Sequence, residues 1–166
     1  MESKSELVRL PIVTSEGEFV AGYSVKGLAE LNFPSKSSTK KSIGGEVSAK
    51  IRRWHRVTTE AVKQTLAGRA VKNPPPLDLS RGTEFQRAVW TAMRRISCGQ
   101  TQSYGEIAKA IGKPKAVRAV GGACGANPIP VLVPCHRVLA AGGKIGGFSG
   151  GLDWKRKLLA REGVRQ

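Results

Sequence analysis

The chain has 166 residues, 40% of them hydrophobic, enough for one ordinary domain or two small lobes sharing a core and too apolar for a disordered chain. No apolar run approaches the ~20 residues that span a bilayer, and MESKSELVRL lacks the apolar segment of a signal peptide, so a cytoplasmic protein without membrane contact is expected. The net charge of +16 is uneven: residues 1–80 carry 13 basic and 8 acidic side chains, residues 81–166 carry 15 and 4, so a polyanion, nucleic acid first, is expected to dock on the second half.

Residues 6–33 alternate short apolar runs with the turn signals SEGE and VKG, which predicts two or three short antiparallel strands. SKSSTKKSIGG, at 35–45, reads as a polar basic loop. A helix follows, with Thr58 or Thr59 as its cap, Ala61, Val62 and Leu66 as its apolar stripe and Gly68 beyond its end. VKNPPPLDLS, at 71–80, cannot be regular structure, because three consecutive prolines remove donors and favour an extended chain; it marks a boundary.

Thr83 and Gln86 form a capping box opening EFQRAVWTAMRRI, with Phe85, Val89, Met93 and Ile96 on one face. Ser103 and Glu106 form another before YGEIAKAIG. The turn GKP and the segment KAVRAVGGACGAN complete a helix-turn-helix pattern. Its second helix offers Ala116, Ala119, Gly122, Ala123 and Ala126, with Arg118 as its main long side chain. Such a surface suits close backbone approach in a narrow groove, with Arg118 inserted among bases, better than base reading in the major groove.

Cysteines at 98, 124 and 135 give neither a CxxC pair nor a disulfide framework, and with two histidines no metal site is expected. In NPIPVLVPCHRV the prolines at 128, 130 and 134 forbid a helix and predict an apolar strand ending at Cys135. His136 and Arg137 make the setting electropositive, which favours the reactive thiolate. Adjacent side chains diverge in regular structure, so His136 reaches Cys135 only across a turn or through a bridging water. Cys98, Cys124 and His55 read as structural.

The stretches GTEFQRAVW, SYGEIAKAIGKPKAVRAVGGA, NPIPVLVPCHRV, GGFSGG and KLLAREG, within residues 82–163, resemble the C-terminal domain of the O6-alkylguanine-DNA alkyltransferases. The resemblance implies duplex DNA containing O6-alkylguanine as partner, no cofactor, base flipping, and irreversible single-turnover transfer of the alkyl group to Cys135; action on O4-alkylthymine stays open. It implies that His136 activates the thiol through a water, that Glu162 orients His136, that Asn127 braces the segment and that Tyr104 donates to guanine N3. Arg118 would fill the place of the flipped base, with Ser103, Ala116, Ala119 and Gly122 along the DNA. Val138, Gly146, Gly147, Phe148 and Ser149 would wall the base pocket, Phe148 standing where many relatives have tyrosine.

The expected fold is α+β: a small N-terminal antiparallel sheet with a helix (1–70), a proline-rich linker (71–81), and a mainly helical, winged-helix-like domain (82–166), acting as a monomer with cooperative assembly on DNA left open. Competing readings are a lesion-binding protein without transfer, against which Cys135 counts, a Cys-His hydrolase, and a transcription regulator.

Overall fold

The computed structural model describes residues 6–35 and 46–165, so the predicted basic loop at 35–45 falls, Ser35 apart, outside the described residues. Strands β1 (Val8–Thr14), β2 (Gly17–Tyr23) and β3 (Leu28–Asn32) form an antiparallel sheet in that order, with Thr14 opposite Gly17 and the VKG signal at the second turn. Phe19, Ala21 and Tyr23, two apart along β2, share the buried face.

Helix α1 (Ala49–Leu66) starts well before the predicted cap: Ser48 is its N-cap, accepting from the Ile51 amide. Thr58 and Thr65 are buried within it, and their hydroxyls donate to the carbonyls of Trp54 (2.8 Å) and Ala61 (3.1 Å). Satisfied in this way, each threonine packs as an apolar residue and continues the stripe across a stretch that reads as polar. His55 is also satisfied: Nε2 donates to the Pro11 carbonyl (3.0 Å), so Nδ1 accepts from the Tyr23 hydroxyl (2.8 Å).

The proline tract is irregular but docked. The Leu28 amide donates to the Pro76 carbonyl and the Asp78 amide to the Leu28 carbonyl, leaving one parallel bridge between Leu28 and Leu77. Helices α2 (Glu84–Arg94) and α3 (Tyr104–Ala110) open with both predicted capping boxes, and α4 (Val117–Gly125) completes the helix-turn-helix. Cys124 faces Met93 in the core, and the Trp90 indole donates to the Ala123 carbonyl.

Two short strands, β4 (Gln102–Ser103) and β5 (Val138–Leu139), pair in parallel and fix the start of α3 beside the segment that follows Cys135. Helix α5 (Leu152–Arg161) closes the fold. One core cluster joins the sheet, through Phe19, Tyr23 and Leu31, to α1, α2, α4 and α5, through Val62, Met93, Val120 and Leu158. The ends of α1 and α5 meet at Gly68 (φ +74°), where any Cβ would run into the Arg161 carbonyl. Arg161 donates to the Leu66 carbonyl and pairs with Glu16 of the first turn. No helix among the described residues is long and apolar enough to cross a membrane.

Candidate functional site

NPIPVLVP is not the strand its apolar run suggests. Its prolines have no amide to give a ladder, so the segment satisfies itself locally. The Asn127 amide donates to the Val133 carbonyl (2.8 Å), its side-chain oxygen accepts from the Ile129 amide (3.0 Å), and the Val133 amide donates to the Ile129 carbonyl (2.8 Å). Val131 takes a φ of +77°, a left-handed conformation that a β-branched residue adopts only when its surroundings enforce it; its side chain is buried. Cys135–Arg137 then form a single 3-10 turn, and extended chain comes only afterwards, in β5.

This turn sends its three side chains to separate tasks. His136 is fully buried, with Nε2 2.9 Å from Glu162 Oε1. An ionised carboxylate only accepts, so Nε2 carries the hydrogen and Nδ1 presents a lone pair; Nδ1 is buried and makes no hydrogen bond within the protein. Burial holds the imidazole below its ordinary 6.5 although Glu162 works in the opposite direction, so it is a neutral base. Arg137 clamps the same carboxylate, Nε to Oε2 at 2.9 Å and Nη2 to Oε1 at 2.7 Å, and gives Nη1 to the Ile96 carbonyl. Burial alone would raise Glu162, but the hydrogen bonds from His136 and Arg137 bring it down to about 2.

Cys135 is therefore not the thiolate in an electropositive setting that its neighbours suggest. Arg137 is neutralised by Glu162, His136 is uncharged, and burial pushes the thiol up, partly offset by the Asn127 amide, the Lys155 ammonium and amides of its own turn. Lys155 is the residue that sequence reasoning missed. It is fully buried, donating Nζ to the carbonyls of Val138 (2.7 Å) and Gly147 (3.1 Å), and so ties β5 to the glycine loop. The signal was present: Lys155, Leu158, Leu159 and Glu162 follow i, i+3, i+4, i+7, the inward stripe of α5.

Tyr104 begins α3 half-buried, its hydroxyl against Gly146, and burial raises it so that it stays a donor at neutral pH. Phe148 turns toward the N-terminal sheet, edge-on to Phe33 at 5.7 Å between ring centres, with Trp154 and Phe19 continuing the aromatic chain. Ser149 is exposed and, with Asn127, Pro130 and Phe33, borders a cleft of about 630 Å³. Val138 is buried, its amide closing the Cys135 turn.

The helix pair presents Arg118, Ala119 and Gly122 to solvent, while Ala116 is half-buried at the start of α4 and gives it no side-chain cap. Nothing lies where a Cβ on Gly121, Gly122 or Gly125 would point, so the face is open as well as small. The Ser103 hydroxyl accepts from the Glu106 amide in its capping box, leaving its hydrogen free to donate.

Residues 84–164 match the family described as 6-O-methylguanine DNA methyltransferase, DNA binding domain. The chain is 57% identical over 96 residues to a methylated-DNA-protein-cysteine methyltransferase of Mycolicibacterium paratuberculosis, covering 58% of each protein. It is 48% identical over 104 residues to the bifunctional transcriptional activator/DNA repair enzyme Ada of Escherichia coli, covering 61% of this chain and 29% of that one. The chain thus spans less than two thirds of either curated relative. Among solved structures, Mycobacterium tuberculosis OGT in complex with DNA superposes with a TM-score of 0.75 at 37% identity, over 92% of this chain and 90% of that one.

Proposed function

This chain belongs to the 6-O-methylguanine DNA methyltransferase family, and from that membership and the site geometry we propose that it repairs duplex DNA by moving the alkyl group of O6-alkylguanine onto Cys135, once per molecule. The observation that carries the reading is the orientation of His136. Glu162 holds the hydrogen on Nε2, which leaves Nδ1 as the only basic atom of the ring, buried in the same turn as the thiol. His136 takes the thiol proton at Nδ1, through a bridging water. The sulfur attacks the alkyl carbon, the carbon–O6 bond breaks, and the guanine leaves as Tyr104 donates to N3. The raised thiol fits this order: proton loss is coupled to attack and the resting sulfur stays protonated. The product is a thioether, whose carbon–sulfur bond water does not cleave even with a base beside it, so each molecule reacts once.

A base inside a duplex cannot reach a buried thiol, so the lesion is flipped, with Arg118 occupying the gap and the small face of α4 following the groove. The uncapped amides at the start of α4 are free to meet a phosphate. The lysine bridge from Val138 to Gly147 keeps the pocket wall closed around the base. Binding and chemistry separate in one experiment. Cys135→Ala should keep its affinity for O6-methylguanine duplex and lose all transfer, whereas Arg118→Ala should weaken binding and retain transfer at saturating DNA. Transfer persisting in Cys135→Ala would refute the assignment.

A further inference from the structure

We propose that the exposed face of α1 is a second phosphate-binding surface, holding the backbone of duplex DNA beyond the segment that α4 engages; this rests on the reading of the chain as a DNA-binding protein. Helix α1 buries Thr58, Ala61, Val62, Thr65 and Leu66. Opposite them Arg52, Arg56 and Lys63 recur at i, i+4 and i+11, within about 40° of one another around the helix, with Arg53 at their border. All four are exposed, and Glu60 is the single acid on that side.

Two features leave this stripe available to an external anion. First, among the described residues none of the four cations enters an ion pair. Arg9, Arg137, Lys157 and Arg161, by contrast, each pair with a glutamate. Second, the charges stand where the helix itself disfavours them. The first turn holds no acid, although the amino end of a helix favours acids; Lys50 and Arg52 stand in it instead, and Arg53 opens the next turn. Arg52 and Arg56 add a like-charge pair at i, i+4. An external anion reverses both penalties.

The dimensions suit a polyanion. Arg52 to Lys63 spans about 16 Å along the axis at 1.5 Å per residue, which covers about five phosphates of one strand at 3.4 Å of rise each. Helix α1 packs on β1 and α5, whereas α4 packs on α2 and α3, so the stripe and Arg118 are carried by different layers of the molecule.

The test is the triple variant Arg52→Glu, Arg53→Glu, Arg56→Glu in the full chain, titrated with undamaged duplexes of one helical turn and of several turns across a range of salt. On the long duplex, the slope of log affinity against log salt should become shallower by about 3, because each phosphate that a cation neutralises contributes about 0.9 to it. On the one-turn duplex affinity should be unchanged, and methyl transfer at saturating one-turn O6-methylguanine DNA should stay within twofold of the parent chain. The glutamine triple variant, with a melting temperature no lower than that of the parent chain, should reproduce the slope change and exclude misfolding as its cause. An unaltered slope on long DNA would overturn the proposal, as would an equal loss on the one-turn duplex. Failure of the parent chain to transfer methyl would sink the repair reading alone, because the salt slope is read on undamaged DNA.

Discussion

Glu162→Gln removes one negative charge from between two buried partners while keeping the shape of the side chain. In the parent protein the carboxylate has no exposed side-chain surface, accepts one hydrogen bond from His136 and two from the Arg137 guanidinium, and neutralises an arginine that is itself only 9% exposed. Stripping one member from a buried pair costs about 3–5 kcal/mol, and since glutamine still accepts on one side the lower end applies, about 3 kcal/mol. For a chain of this size that lowers the melting temperature by about 6–12 °C. Linkage gives an independent check. The folded pKa of about 2 lies below the ordinary 4.5, so this contribution is fully present above pH 4.5 and is lost as pH falls toward 2. At about 1.4 kcal/mol per unit, it again comes to about 3 kcal/mol. The parent protein should show this acid limb in denaturation curves and Glu162→Gln should show less of it. Because the variant loosens the tautomer that exposes Nδ1, single-turnover transfer should also slow by about 100-fold. A melting temperature within 2 °C of the parent together with a rate within about twofold, far short of what an acid–base group supplies, would refute the reasoning.

Lys155→Met keeps the aliphatic stem and leaves the carbonyls of Val138 and Gly147 without their donor, so chemical denaturation should report a loss of about 2 kcal/mol and transfer should slow as the pocket wall loosens; unchanged stability would mean that the bridge contributes nothing. Transfer should be flat from neutral pH down to about 6.5 and fall only on the acid side, because burial holds His136 below its ordinary value; a tenfold rise per pH unit across the neutral range would instead indicate attack by a pre-formed thiolate. Gly150→Ala places a Cβ 2.5 Å from the Phe33 ring and should destabilise the glycine loop, while Phe33→Ala in the same chain should relieve the clash; strictly additive losses in the double variant would mean that the loop does not rest on Phe33.

How far the sequence foretold this molecule depended on how local each signal was. The capping boxes at Thr83 and Ser103 were readable because cap chemistry is complete within four residues, and the β2 alternation because pleat periodicity needs no partner. The start of α1 was hidden because the helix buries no residue before Thr58, so no apolar stripe marks Ala49 to Val57, and Thr58 itself acts as an apolar residue only once its hydroxyl has found the Trp54 carbonyl. In the site, Cys135, His136 and the distant Glu162 were named from the motif and its resemblance, and the fold brings His136 and Glu162 together. The charge state of the thiol was misjudged, because adjacency in sequence says nothing about Arg137 turning toward Glu162. Lys155 escaped notice because a lysine on an amphipathic stripe reads as surface until two carbonyls are found at its tip. Phe148, expected in the pocket wall, leans on Phe33, just beyond the end of β3, a packing that no local pattern encodes.

The most direct test is mass analysis of the intact, folded chain after incubation with excess duplex containing one O6-methylguanine. The Cys135 peptide should carry one methyl group in place of its thiol hydrogen, at most one per chain however much DNA is added, with unmodified guanine left in the duplex. A Cys135 peptide that stays unmodified in protein shown to be folded and bound to the lesion would contradict the assignment of Cys135 as acceptor. Methyl groups removed in excess of the number of chains would contradict the single-turnover mechanism.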